Sequence, residues 1–244
     1  MPAAGRFVSH GLTDVGLVRA RNEDAFLERP EIALWVVADG MGGHDRGDEA
    51  SAAIVAALAA LRPRDLTEID DYVDEVKKPL TLVDRALRAR AAALGPGAVI
   101  ASTVVTLFVY GGDFGCLWAG DSRLYLLRDG ELRQLTTDHS LVQELVDAGR
   151  LSPEQAAHHP ERNVVTQAIG GGRFLLGVRA GNLYPGDRFL LCSDGLTNMV
   201  ADAEIGREMA AGAPQEAAER LRELVLARGA VDNVTIVIVA VAPA

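Results

Sequence analysis

Two short apolar runs that each end on a carboxylate followed by glycine frame this chain. Leu34, Trp35, Val36, Val37 and Ala38 lead into Asp39 and Gly40; Phe189, Leu190, Leu191 and Cys192 lead through Ser193 into Asp194 and Gly195. Unbroken apolar runs of this length read as strands buried on both faces. Period-two alternation predicts further strands over 7–14 and 99–110. Apolar runs place others over 114–119, 174–178, 187–193 and 234–241. A hairpin is expected where 124–127 and 131–135 flank Arg128, Asp129 and Gly130. Consecutive hairpins imply antiparallel sheets.

Helical spacing appears between these strands. Residues 48–61 are Ala, Ile, Val and Leu on most faces, a buried helix stopped near Pro63. Leu66, Ile69, Val73, Val76, Leu80, Val83 and Leu87 recur every three or four positions, predicting a helix over 65–94 that Pro79 kinks or splits. Helices are also expected over 140–148, from Ser152 and Pro153 onward, and over 201–211 and 214–228. The polar stretch 138–172 reads as a surface excursion, a flap laid over one domain spanning 1–244.

Composition narrows the partners. With 49% hydrophobic residues over 244 positions the chain can bury a large core, and a net charge of -10 disfavours nucleic acid and anionic membranes. No apolar segment reaches the roughly 18 residues of a membrane span. Cys116 and Cys192 lie inside apolar runs and read as buried thiols rather than a disulfide, which suits a reducing compartment; with no signal-peptide-like apolar region near Met1, the cytoplasm is the simplest expectation, and a monomer is the default.

Chemistry concentrates in the acids. Asp39 and Asp194 close apolar strands and precede glycine, Asp121 sits between Gly120 and Ser122 at a strand end, and Asp232 opens the last strand. Gathered together, such charges would repel and drive one another toward protonation unless a cation joined them. Oxygen ligands without His or Cys favour Mg²⁺ or Mn²⁺ over zinc. Gly40, Gly42 and Gly43 are expected to supply positive φ and close approach beside Asp39. The stretch with Arg19, Arg21, Asn22, Glu23 and Asp24 looks like a site edge, a solvated hairpin of paired charges being the alternative reading. A cysteine-based phosphatase is excluded because Ser122 and Asn198, not arginines, stand six positions after the cysteines, and no GKS or GKT phosphate loop occurs.

With these residues in place, GLVRARNEDAF (16–26), VVADGMGGH (36–44), AGDSRLYLL (119–127), LTTDHSLVQELVDAGRL (135–151), LLCSDGL (190–196) and DNVTIVIV (232–239) together resemble the bacterial PP2C (PPM) metal-dependent protein serine/threonine phosphatases. The resemblance spans nearly the whole chain and implies an α+β fold, a four-layer αββα sandwich of two antiparallel sheets flanked by helices. It implies two core Mn²⁺ or Mg²⁺ ions bridged by Asp39, with the Gly40 carbonyl on one ion, Asp194 and Asp232 on the other, and Glu23 holding a bound water. Asp121 would share a weaker third ion with Asp194, Arg19 would bind phosphate, and Asn233 would support the site by hydrogen bonds. The nucleophile would be water bridging the metals, acting on phosphoserine and phosphothreonine in proteins against a cognate Ser/Thr kinase. The chain departs from eukaryotic members in carrying Met41 after the Asp-Gly pair, which leaves His44 or a metal-bound water as candidate general acid. His10, His139, His158 and His159 are read as structural or solvent-facing.

Overall fold

The computed structural model describes residues 7–42, 46–172 and 174–242. In chain order it places β1 (Phe7–Asp14), β2 (Asp24–Arg29), β3 (Leu34–Gly42), α1 (Gly47–Ala59), α2 (Ile69–Leu94), β4 (Ile100–Ser102), β5 (Val104–Tyr110), β6 (Asp113–Ala119), β7 (Arg123–Arg128) and β8 (Glu131–Gln134). Then follow α3 (Leu141–Asp147), α4 (Pro153–Ala157), β9 (Gly177–Asn182), β10 (Arg188–Cys192), α5 (Asp194–Thr197), α6 (Asp202–Ala210), α7 (Pro214–Ala227) and β11 (Val234–Val241). A five-stranded sheet runs β1-β11-β10-β7-β8, and a six-stranded sheet runs β2-β3-β5-β6-β9 with β4 joined to β3. The strand pairings are antiparallel.

The pleat explains the unbroken apolar runs. On β3, Trp35 and Val37 enter the layer between the sheets, whereas Leu34, Val36 and Ala38 pack beneath α1 and α2 with Ile54, Leu58, Val76 and Leu80. On β11, Val237, Val239 and Val241 join the layer between the sheets, and Val234, Ile236 and Ile238 pack under α6 and α7 with Met209, Leu221 and Val225. Three apolar layers between four layers of structure are the expected αββα sandwich. Period two then fixes where the polar end of the inner layer falls. Asp39 keeps the face of Trp35 and Val37, Asp24 that of Phe26, Ser193 that of Phe189 and Leu191, and Thr235 that of Val237.

Several expected boundaries move. Strand β3 does not stop at Asp39 but continues to Gly42, because β4 pairs with its end, Gly40 opposite Ser102. Residues 99–110 form two strands rather than one, broken at Thr103, whose amide donates to the Asp39 carbonyl at 2.8 Å. Helix α2 is not split at Pro79. Buried Tyr72, Val76, Leu80, Val83 and Leu87 lie on both sides of the proline, and their shared burial offsets the missing amide. The strand expected over 174–178 lies instead at β9, where Gly177 and Gly181 leave room for the Trp118 and Phe114 rings of β6. Glycine opposite an aromatic ring leaves no hydrophobic signal. The stretch 138–172 leaves from β8 and returns at Ile169, which bridges Ser102, while the Gly170 amide donates to buried Asp84 of α2 at 2.9 Å.

Candidate metal centre

At one end of the inner layer the sheets present acids instead of aliphatic side chains. Asp24 of β2 lies opposite Asp39 of β3. From the other sheet, Asp194 opens α5 directly after β10, and Asp232 precedes β11. Asp121 joins them from the β6–β7 turn, where Gly120 adopts φ +106 with Thr103 packed against it. All five acids are half-buried.

The backbone around Asp39 is held on several sides. Its amide donates to Thr103 Oγ1 at 3.1 Å, and that hydroxyl shares a 2.6 Å hydrogen bond with Ser122 beside Asp121. The Gly40 amide donates to the Glu23 carbonyl at 3.1 Å, and the Gly47 amide, at the start of α1, donates to Glu23 Oε1 at 2.9 Å. Glu23 thus sits where the helix dipole favours a carboxylate. Contrary to expectation, Gly40 and Gly42 lie in extended strand and not at positive φ. Glycine is needed at 40 for space, since a Cβ there would lie 2.1 Å from the Gly47 carbonyl oxygen.

Asn233 ties the remaining pieces together. Its Oδ1 accepts the Glu23 amide at 2.8 Å, and its Nδ2 donates to the carbonyls of Val15 and Arg21, both at 2.9 Å. Its own amide donates to Asp232 Oδ1 at 2.9 Å, and Arg19 Nη2 donates to Asp232 Oδ2 at 2.8 Å.

The electrostatics are those of a site short of positive charge. Burial, then Asp24, Asp194, Asp121 and Asp232, raise the Asp39 carboxyl well above the usual range. Burial and Asp194 push Asp121 up to about 7, and burial and Asp232 raise Asp194. Asp24 is pushed up to about 6 by burial, against hydrogen bonds from Thr235 and Ser193 that favour its charged form. Paired with Asp232, Arg19 is held above its ordinary value. Oxygen donors crowded until they resist ionisation fit hard divalent cations, which would remove the conflict. Among the described residues no three acid, histidine or cysteine side chains already stand closely enough to hold an ion. Asp232 is engaged by Arg19, and Asp194 by Asn198 Nδ2 at 3.0 Å, so closing on a cation means exchanging those partners for it.

Of the sequence-derived candidates, Arg19, Glu23, Asp39, Gly40, Asp121, Asp194, Asp232 and Asn233 fall in this one region. His44 and Gly43 lie outside the described residues. His158 is exposed in the 138–172 stretch, and His159 is half-buried there, its Nδ1 accepting the Glu161 amide at 3.2 Å. His139 stacks on Trp118 with centroids 5.9 Å apart and accepts the Gly120 amide at Nδ1, which suits the structural reading. Sequence reasoning placed Asp24 only at a site edge, with no function of its own, and assigned no role to Ser193, Thr235, Thr103 or Ser122. The signal was available in the pleat: polar residues at period two beyond an apolar face mark where a buried layer turns into a site.

Comparison with known proteins agrees with this geometry. A family model for protein phosphatase 2C matches residues 18–226. The serine/threonine protein phosphatase PstP of Mycobacterium tuberculosis is 41% identical over 233 residues, which is 93% of this chain and 43% of that protein, so the chain spans less than half of this relative. Among solved structures, PppA, described as a key regulatory component of T6SS in Pseudomonas aeruginosa, superposes with a TM-score of 0.88 at 41% identity, covering 97% of this chain and 98% of that one. The catalytic domain of PstP in complex with two manganese ions superposes with a TM-score of 0.86 at 36% identity, covering 97% and 98%. With its acids gathered at one end of an αββα sandwich and its sequence matched over most of its length, this chain belongs to the protein phosphatase 2C family.

Proposed function

We propose that this chain hydrolyses phosphoserine and phosphothreonine in proteins in a Mn²⁺- or Mg²⁺-dependent reaction, opposing a Ser/Thr protein kinase. The observation that carries this reading is the crowding of Asp39 by Asp24, Asp194, Asp121 and Asp232. The ions would be two held by Asp39, the Gly40 carbonyl, Asp194 and Asp232, with a weaker third at Asp121 and Asp194. When bound, they supply Lewis acidity, making water acidic near neutral pH and neutralising phosphoryl oxygens.

The chain's own groups do the rest. Arg19 leaves Asp232 to place its planar fork on two phosphoryl oxygens, which orients the phosphate and stabilises its charge. Glu23, fixed at the start of α1, accepts hydrogen bonds from water at the site. Asn233 holds the Arg19 loop and the Asp232 loop in one frame. His44 is the candidate proton donor to the leaving hydroxyl, with water as its alternative. Residues 1–244 act as one catalytic domain, with 138–172 as its flap. The reading includes a cytoplasmic setting, supported by the buried free thiols of Cys116 and Cys192, and a monomer as its default. Among the described residues no helix is long and apolar enough to cross a membrane.

Hydrolysis of p-nitrophenyl phosphate and of phosphopeptides, with and without Mn²⁺, tests the reading. Turnover that ignores metal, or an Asp39→Asn protein as active as wild type, overturns it.

A further inference from the structure

Beside the Arg19–Asp232 ion pair the surface is unexpectedly apolar. Val18 at 67% and Leu17 at 66% exposure are the most exposed large hydrophobic side chains among the described residues, and Val231 at 54% and Val15 at 36% accompany them. Val18 immediately precedes Arg19, and Val231 immediately precedes Asp232. The two loops are one patch, since the Leu17 amide donates to the Ala230 carbonyl at 2.9 Å. Singly exposed aliphatics are ordinary; a cluster at the mouth of a charged site is not.

The patch is also rigid. Gly16 sits at φ +76, and a Cβ there would lie 2.4 Å from the Asp232 carbonyl oxygen and 2.6 Å from that of Ala230. Its amide donates to Asp14 Oδ1 at 2.9 Å, and Asn233 Nδ2 clamps the carbonyls of Val15 and Arg21. Ala230, fully buried at φ 33, anchors the opposite loop. These apolar side chains are displayed on a fixed frame, and a preformed surface loses little freedom when covered.

Building on the phosphatase reading above, we infer that Leu17, Val18, Val15 and Val231 form a substrate rim that receives an apolar side chain next to the phosphorylated residue of a protein substrate. Continuity with Arg19 fixes the occupant. A phosphate gripped by Arg19 brings the flanking residues of an extended segment, spaced about 3.3 Å apart, over side chains only one position from Arg19 and Asp232. The site's acids and the net charge of -10 repel acidic flanks and anionic lipid headgroups alike. Four side chains also fall well short of the roughly 800 Å² per partner that a stable dimer buries.

The test compares kcat/KM, with Mn²⁺, on two phosphothreonine peptides that differ only in leucine or serine at the residues flanking the phosphothreonine. Wild type is expected to favour the leucine peptide by about three- to tenfold, the return for partly burying one aliphatic side chain. In Leu17→Ser with Val18→Ser, and separately in Val231→Ser, that preference falls toward one; Leu82→Ser, on the exposed face of α2, keeps it. A ratio cannot be moved by partial misfolding, which lowers both peptides together. Equal turnover of the two peptides by wild type, or an undiminished preference in the rim variants, overturns the rim. Absence of metal-dependent p-nitrophenyl phosphate hydrolysis by wild type overturns the phosphatase reading and, with it, the rim.

Discussion

Asp24 stands directly opposite Asp39 in the β2–β3 register, and its Oδ2 accepts hydrogen bonds from Ser193 Oγ and Thr235 Oγ1 of the other sheet, both at 2.7 Å. The Ser193 hydroxyl in turn accepts the Thr235 amide at 2.9 Å, and Thr235 Oγ1 meets Thr13 Oγ1 at 2.7 Å. The neighbour of the proposed bridging acid is therefore the polar clasp that joins the two sheets at their site end. It lies between the strand beside Asp39 and the strand ends that carry Asp194 and Asp232.

Thr235→Val keeps the volume and removes the hydroxyl. It leaves the half-buried Asp24 carboxyl with one donor fewer, Ser193 remaining, and is expected to destabilise the fold by about 1–3 kcal/mol. Urea unfolding gives the stability, and calorimetric titration with Mn²⁺ is expected to show weaker binding. Unchanged values in both would mean that the clasp positions nothing.

Space rather than flexibility governs Gly40. Gly40→Ala forces a Cβ within 2.1 Å of the Gly47 carbonyl oxygen and 2.6 Å of the Glu23 carbonyl oxygen, so strand β3 and helix α1 must separate. A loss of about 1–3 kcal/mol or more is expected, together with impaired Mn²⁺ binding. Gly112→Ala, whose Cβ would meet nothing within 4 Å, serves as the control and is expected within about 0.5 kcal/mol of wild type. Equal melting temperatures for the two variants would contradict the steric account.

Where residues signal through their own chemistry, the sequence was legible. Apolar runs on β3, β10 and β11 are buried on both faces and so locate the sheets, and Asp-Gly after two of them locates the site. What stayed hidden depends on partners distant in sequence. Gly177 and Gly181 are strand residues only because Trp118 and Phe114 need the room, and Pro79 is tolerated only because α2 is packed along its length. The role of Asp24 required knowing that Ser193 and Thr235, more than 160 positions away, face it across the sheets. Likewise, the Arg19–Asp232 pair spans 213 positions and no local pattern foretells it.

That pair makes Arg19→Ala informative. If Arg19 binds phosphate, its loss removes charge-assisted hydrogen bonds of about 1.5–3 kcal/mol, and kcat/KM for a phosphopeptide falls by about ten- to a hundredfold. Because Arg19 also occupies Asp232, Mn²⁺ affinity measured by calorimetry is expected to hold or rise. A parallel loss of metal binding would show that Arg19 supports the acids instead of competing for one of them.

The raised carboxyls predict how metal and proton trade places. Asp24 is pushed up to about 6 and Asp121 to about 7, with Asp39 and Asp194 also raised, burial being the first cause in each. A carboxyl whose folded pKa exceeds its unfolded value favours the fold while protonated. That contribution is complete below the unfolded carboxylate range, about pH 4, and is lost as pH climbs through about 6 to 7. Without metal, melting temperature should therefore fall across this window relative to a protein carrying Asp24→Asn and Asp121→Asn, in which those two groups cannot titrate. Divalent cations bind the ionised form and release protons, so Mn²⁺ affinity should rise across the same window, by up to about tenfold per pH unit for each proton displaced. Melting curves from about pH 5 to 8, with and without Mn²⁺, read both trends. The Mn²⁺-induced stabilisation should be small at the acid end and large near neutrality, where the metal supplies the positive charge that Arg19 alone does not. A Mn²⁺ effect independent of pH would mean that the crowded acids are not its ligands.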